Sequence, residues 1–185
     1  MRAVLDTNVF VSYLLSSRDR QTTVNAVVDA ACAYDLLLAD GLLEELIGSV
    51  EKKRRLSHAI DLDDARDFAA AIRSFGELLP SPTPSSPPVT RDANDDYVYL
   101  SAIQFAADLL VSMDRALLVL APVSAPLRIL APSEFMRLLR ASRLVQGAPI
   151  KYSQTSGYAR FQVRSPREVW TFTTPATRTL GLLDF

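Results

Sequence analysis

At 185 residues, 49% of them hydrophobic, the chain is long enough to bury one substantial core and too short for two large domains. Its 20 basic residues against 21 acidic leave no bulk positive charge for gripping a nucleic acid, so any phosphate binding has to be local. No run of apolar residues approaches the length of a membrane span, and Asp6 interrupts the first apolar run where a signal peptide would continue it, so neither a membrane protein nor an exported one is expected.

Ala3 to Leu5 is a short apolar run ending at Asp6, after which Val9, Phe10, Tyr13 and Leu14 recur at helical spacing: strand, polar turn, helix. Thr22 is placed to cap a second helix, with Val24, Val27, Val28 and Ala31 on one face. Cys32, the lone cysteine, lies in that apolar stretch and reads as a reduced, buried thiol, which points to the cytoplasm. Leu36 to Leu38 reads as a buried strand, and Asp40 as the cap of a helix with Leu43, Leu46, Ile47 and Val50 on its core stripe. A further helix is predicted over Asp63 to Phe75, stopped by Gly76. Five prolines in the nine residues from Pro80 to Pro88 forbid helix and sheet interior, which leaves an extended surface loop.

Beyond that loop the same style resumes: Asp95 opens an apolar helix running to Ala107, and Leu109 to Val111 and Arg128 to Leu130 read as strands. Strands alternating with helices imply an α/β sandwich around a mainly parallel sheet, over about residues 1–140. From Gln146 the pattern changes. Ala159, Phe161 and Val163 alternate with Arg160, Gln162 and Arg164, and Ser165-Pro166 precedes Val169 to Thr173, which predicts a C-terminal β-hairpin extension within residues 141–185.

In an open parallel sheet, ligands gather beyond the carboxyl ends of the strands, and the acids of this chain fall there repeatedly. Asp6 ends the first strand, Glu45 lies one turn into the helix after the second, Asp95 opens the helix before the third, and Asp114 follows the third. Any one of them alone is accounted for as a helix cap or dipole partner; their joint placement is what points to chemistry. Four carboxylates in one pocket repel and raise one another's pKa unless cations are supplied, and hard oxygen ligands select Mg²⁺ or Mn²⁺. Such ions suit hydrolysis of a phosphodiester. Thr7 and Asn8 close the turn after the first strand or orient a carboxylate there. Glu44 and Glu45 are about 100° apart on their helix and cannot both face the pocket. Asp92 and Asp96 compete with Asp95 in the same way.

The order of these pieces resembles the PIN-domain nucleases, in particular the toxin ribonucleases of bacterial and archaeal toxin–antitoxin pairs. The resemblance spans about residues 1–140 and is carried by Val4-Leu5-Asp6-Thr7-Asn8-Val9, Leu42-Leu43-Glu44-Glu45-Leu46, Arg91-Asp92-Ala93-Asn94-Asp95-Asp96, the stretch from Ala107 to Asp114, and Ile129 to Phe135. It implies a three-layer α/β/α fold, Mg²⁺- or Mn²⁺-dependent cleavage of RNA, and an acid quartet at Asp6, Glu45, Asp95 and Asp114 as catalytic residues and metal ligands, assisted by Thr7, Asn8 and Asp96. It also implies a small antitoxin that blocks the pocket, and a homodimer. One departure stands out: many relatives carry a further acid two residues after the position of Asp114, where this chain has Ala116, which weakens one metal position.

Lys52, Lys53, Arg54 and Arg55 read either as a solvated helix end or as phosphate contacts steering RNA. His58, the only histidine, has no partner for nucleophilic chemistry and reads as a surface residue. Arg160 and Arg164 offer a solvent face, an RNA track or a partner surface. Phe161, Trp170 and Phe172 read as the hairpin's own packing. Two other readings compete. A haloacid-dehalogenase-type phosphatase also sets an Asp after its first strand, but needs a second Asp where Asn8 stands. A non-catalytic RNA- or protein-binding module on the same fold would be indifferent to metal.

Overall fold

Ala3, Val4 and Leu5 have no exposed surface, a condition that a run this short meets only as a central strand covered on both faces. The computed structural model describes residues 1–16, 22–32, 34–85, 88–90, 96–124, 126–141, 151–155, 158–164 and 169–175. Strand β1 (Arg2–Leu5) is followed by α1 (Thr7–Leu15), α2 (Thr23–Cys32), β2 (Asp35–Leu38), α3 (Leu42–Lys52), α4 (Arg54–Ser57), α5 (Leu62–Phe75) and β3 (Glu77–Leu78). Then come α6 (Asp96–Gln104), β4 (Leu109–Val111), α7 (Arg115–Leu118), β5 (Arg128–Leu130) and α8 (Pro132–Ala141). The five strands form one all-parallel sheet in the order β3-β2-β1-β4-β5.

The pleat sorts the strand residues into two cores. Ala3, Leu5, Leu36, Leu38, Leu109 and Val111 face a layer built from α1, α2, α3, α5 and α8, through Phe10, Val27, Leu46, Phe68 and Phe135 among others. Val4, Leu37, Leu110 and Ile129 face the opposite layer, where Val98, Tyr99 and Ala102 of α6 and Leu117 of α7 meet them. This is the three-layer α/β/α arrangement that the sequence implied. Strand order reverses direction between β1 and β4, and a doubly wound sheet opens a crevice at that switch point, beyond the carboxyl ends of the strands.

Several boundaries differ from expectation for local reasons. Thr22 does cap α2, its Oγ1 accepting from the Asn25 N–H at 3.2 Å. Asp40 does not cap α3: that position falls to Gly41, at φ 82°, a left-handed conformation that glycine adopts without strain. The Asp40 carboxylate instead accepts from the Ser81 hydroxyl. Asp61 caps α5 and starts it at Leu62, its Oδ1 accepting from the Asp63 N–H at 2.8 Å. Gly76 ends α5 with extended backbone, and its glycine is needed for space: a Cβ there would sit 2.6 Å from Leu38 Cδ1. Helix α6 stops at Gln104, short of Ala107. Ala106 takes φ 53°, and the Ala107 N–H turns back to the Ala102 carbonyl at 2.8 Å.

The described residues of the proline-rich segment, 80–85 and 88, form neither helix nor strand, and the segment is fastened. The Gln104 amide clamps Thr83 from both sides, accepting from its N–H and donating to its carbonyl, each at 2.8 Å. In the C-terminal part the backbone forms an antiparallel sheet of three strands, β6 (Lys151–Thr155), β7 (Tyr158–Arg164) and β8 (Val169–Pro175), one more than the hairpin read from the sequence. The side chains of Cys32, Arg160, Phe161, Arg164, Trp170 and Phe172 lie outside the described set. Among the described residues, no helix is long and apolar enough to cross a membrane.

Candidate active site

The end of β1 delivers Asp6 to the switch-point crevice. Its backbone N–H donates to the Val111 carbonyl of β4 at 3.0 Å, so the first acid is tied directly to the strand that precedes Asp114. The Asp6 side chain is buried, with 9% of its surface exposed. Two donors fix it, both on Oδ2: the Ser112 hydroxyl at 2.5 Å and the Asn8 amide at 2.6 Å. Burial pushes the Asp6 carboxyl up to about 6. The Ser112 hydrogen bond opposes that rise, Glu45 adds to it, the Thr7 backbone N–H opposes it and Asp114 adds to it. Two further carboxylates therefore act electrostatically on Asp6.

Asn8 and Ser112 link the two strand ends. Asn8 Oδ1 accepts from the Met113 N–H at 3.1 Å, and Ser112 Oγ accepts from the Asp114 N–H at 2.9 Å. Asn8 must donate to Asp6 and accept from residue 113 at once, which an amide does and a carboxylate cannot. Asp114 caps α7, its Oδ1 accepting from the Ala116 N–H at 2.9 Å, so the residue standing where relatives carry an acid serves the cap through its backbone.

Glu45 sits in the first turn of α3 with an exposed side chain, yet it is held. Thr7 Oγ1 donates to its Oε2 at 2.9 Å, and the Tyr97 hydroxyl donates to the same oxygen. Burial, then the hydrogen bond to Glu45, pushes the Tyr97 phenol far above its usual range, so it remains a donor at any physiological pH. Glu44 turns away, toward Arg73 of α5 at 3.8 Å. The helical spacing left Glu44 and Glu45 as alternatives, and the geometry separates them.

Asp96 is engaged by the loop that precedes its helix. Its buried carboxylate accepts from the Val89 N–H at 2.7 Å, from the Thr90 N–H at 2.7 Å and from the Thr90 hydroxyl at 2.6 Å. Burial raises its pKa, but those donors outweigh burial and hold it below the usual carboxylate range. Its work is to fasten the loop to the head of α6. Asp92 and Asp95 lie outside the described residues. Lys52, Lys53, Arg54 and Arg55 are all exposed where α3 gives way to α4, and Lys52 lies about 10 Å along the α3 axis from Glu45. His58 is exposed, as expected.

Sequence reasoning passed over Ser112 and Tyr97. Ser112 was visible only as a small polar residue two before an acid at a strand end, and Tyr97 reads as ordinary helix packing.

The oxygens of Asp6, Glu45 and Asp114 are hard donors, and the Asp6 carboxyl is raised first by burial and then by the nearby charges of Glu45 and Asp114. The donor chemistry fits a divalent cation. Among the described residues, no group of three or more acids, histidines or cysteines is placed to hold a metal ion, and Asp95 lies outside those residues.

A family model described as PIN domain matches residues 2–116. The match takes in Asp6, Glu45, Asp95 and Asp114. No curated protein and no solved structure gives a match.

Proposed function

Since the chain belongs to the PIN-domain family, whose members are generally metal-dependent nucleases, we propose that it is an endoribonuclease that hydrolyses RNA phosphodiester bonds with Mg²⁺ or Mn²⁺ held by Asp6, Glu45, Asp95 and Asp114. The observation that carries this reading is the state of Asp6: a buried carboxylate at the switch point, raised to about 6 and acted on by Glu45 and Asp114. A bound cation supplies positive charge for the scissile phosphate and acidifies the attacking water. The protein's own residues provide the preorganised frame. Ser112 and Asn8 fix Asp6, Thr7 reaches Glu45, and the Ala116 N–H holds Asp114, so little rearrangement is required as charge develops. Lys52, Lys53, Arg54 and Arg55 are proposed to meet flanking phosphates.

The purified chain is expected to cut RNA with Mn²⁺ or Mg²⁺ and to stop with chelator. Asp95→Asn and Asp114→Asn should each reduce the rate by about 100-fold or more. Unchanged rates in both variants would overturn the assignment and indict a contaminating nuclease. The two neighbouring glutamates give an internal control. Glu45→Gln should lose most of the cleavage, whereas Glu44→Gln, which removes only an exposed pairing with Arg73, should keep it. Equal losses would show that the helix face has been misassigned.

The finer proposal is that the enzyme is the toxin of a toxin–antitoxin pair, acting in the cytoplasm as a homodimer. It rests on the resemblance to the toxin ribonucleases alone, which the five ordered sequence pieces carry. Co-purification of a small protein encoded beside it, which inhibits cleavage in stoichiometric amounts, is the test of that role.

A further inference from the structure

The four-acid reading leaves one interaction of the site without a role. Tyr97 stands on α6, whose neighbouring residues Val98, Tyr99 and Ala102 pack under one face of the sheet. Glu45 stands on α3, whose Leu42, Leu43 and Leu46 pack on the other. The half-buried Tyr97 ring touches both cores, so this side chain spans the two layers. Its hydroxyl ends on Glu45 Oε2, the same oxygen that Thr7 Oγ1 reaches at 2.9 Å. The two hydroxyls lie 3.5 Å apart, a pair of donors converging on one acceptor. Neither donates to Oε1.

On the reading of Glu45 as a metal ligand, we infer that Tyr97 is a positioning residue that reaches across the sheet from α6 and, together with Thr7, holds the Glu45 carboxylate in the orientation a divalent cation requires. An exposed glutamate has three side-chain torsions to order before it can bind, and that entropy opposes coordination. A tyrosine has two, and packing against both cores settles them, so most of the ordering is complete before the cation arrives. The partner that orients a ligand in this way governs metal affinity by about 10- to 100-fold.

Tyr97→Phe keeps the ring and removes only the hydroxyl. Titrating Mn²⁺ into the metal-free protein by calorimetry, or following free Mn²⁺ by electron paramagnetic resonance, should show affinity weakened by about tenfold or more. The Mn²⁺ concentration needed for half-maximal cleavage should rise by a similar factor, and the thermal midpoint should stay close to that of wild type. In a Glu45→Gln background, Tyr97→Phe should change Mn²⁺ affinity no further. Wild-type affinity in Tyr97→Phe overturns the inference. So does an equal loss in both backgrounds, or a lowered midpoint with unchanged affinity, which would make Tyr97 a packing residue. If the wild-type protein itself binds no Mn²⁺, the metal-dependent reading falls and this inference with it. If wild type binds and Tyr97→Phe is indistinguishable from it, only this inference falls.

Discussion

Asp6→Asn is expected to abolish cleavage while making the metal-free protein more stable at neutral pH. A cation's help to a phosphoryl transfer amounts to several kcal/mol, so losing its central ligand should lower the rate by about 10³-fold. The gain in stability follows from the raised carboxyl. Unfolded, Asp6 gives up its proton near 3.8; folded, it holds it to about 6. Between those values the folded state binds more protons than the unfolded one, so stability falls as pH rises through the window. At pH 7 the charged, buried carboxylate costs the fold about 3 kcal/mol relative to a group with no shift. Asparagine keeps the shape and accepts from Ser112 and Asn8 without the charge. Urea titrations of both proteins should therefore show the variant ahead by about that amount at neutral pH, with the difference vanishing below pH 3.8. Adding Mn²⁺ should stabilise wild type and leave the variant unmoved. A variant less stable than wild type at neutral pH would mean that Asp6 is held by compensating charges, and that its burial does not govern its protonation.

Phe68→Ala should cost about 3–5 kcal/mol, a large share of the stability of a domain this size. Phe68 is 5% exposed on α5 and meets α1 through two rings: Phe10 edge-on at 5.8 Å and Tyr13 stacked at 5.1 Å. Its removal leaves a cavity where three helices converge on the sheet. The urea midpoint, read at constant slope, measures the loss. A change below about 1 kcal/mol would show that the surrounding helices close over the gap. Because Thr7 opens α1, any loosening of that helix should also be felt at Glu45.

Much of this architecture was legible because three of the parallel strands, β1, β2 and β4, are short apolar runs covered on both faces, and such runs announce themselves. Strand β3 did not: Glu77 and Leu78 are both exposed, and they pair only because Leu37 and Leu38 lie beside them. The Asp40 cap failed for a related reason. Its competitor for the carboxylate, Ser81, is 41 residues away, beyond any local rule. The candidate acids were found by their places at strand ends, which topology dictates. What residue type could not resolve was which of two adjacent acids faces inward. Glu44 and Glu45 differ only in what lies across from them, an arginine on α5 or two hydroxyls from α1 and α6. The partners of Asp96, the loop backbone at Val89 and Thr90, were likewise not readable from residue type. In the C-terminal part, alternation marked β7 and β8, whereas Lys151–Thr155 carries no such pattern and joins only through its neighbour.

The hydrogen bond from the Asp6 backbone to Val111, and the one from Ser112 to the Asp6 carboxylate, span more than half of the chain. During synthesis, β1 and β2 can pair early, but the slot on the other side of β1 stays empty until β4 has been made. Asp6 is therefore made well ahead of Ser112 and Asp114, and although Asn8 and Glu45 follow it early, it lacks the Ser112 donor and the Asp114 charge until the end of β4 has been made. On the proposed ribonuclease reading, the chain is thus assembled beside an RNA template in a form that cannot act on it. The order of the strands makes the wait unavoidable, without any separate inhibitory segment.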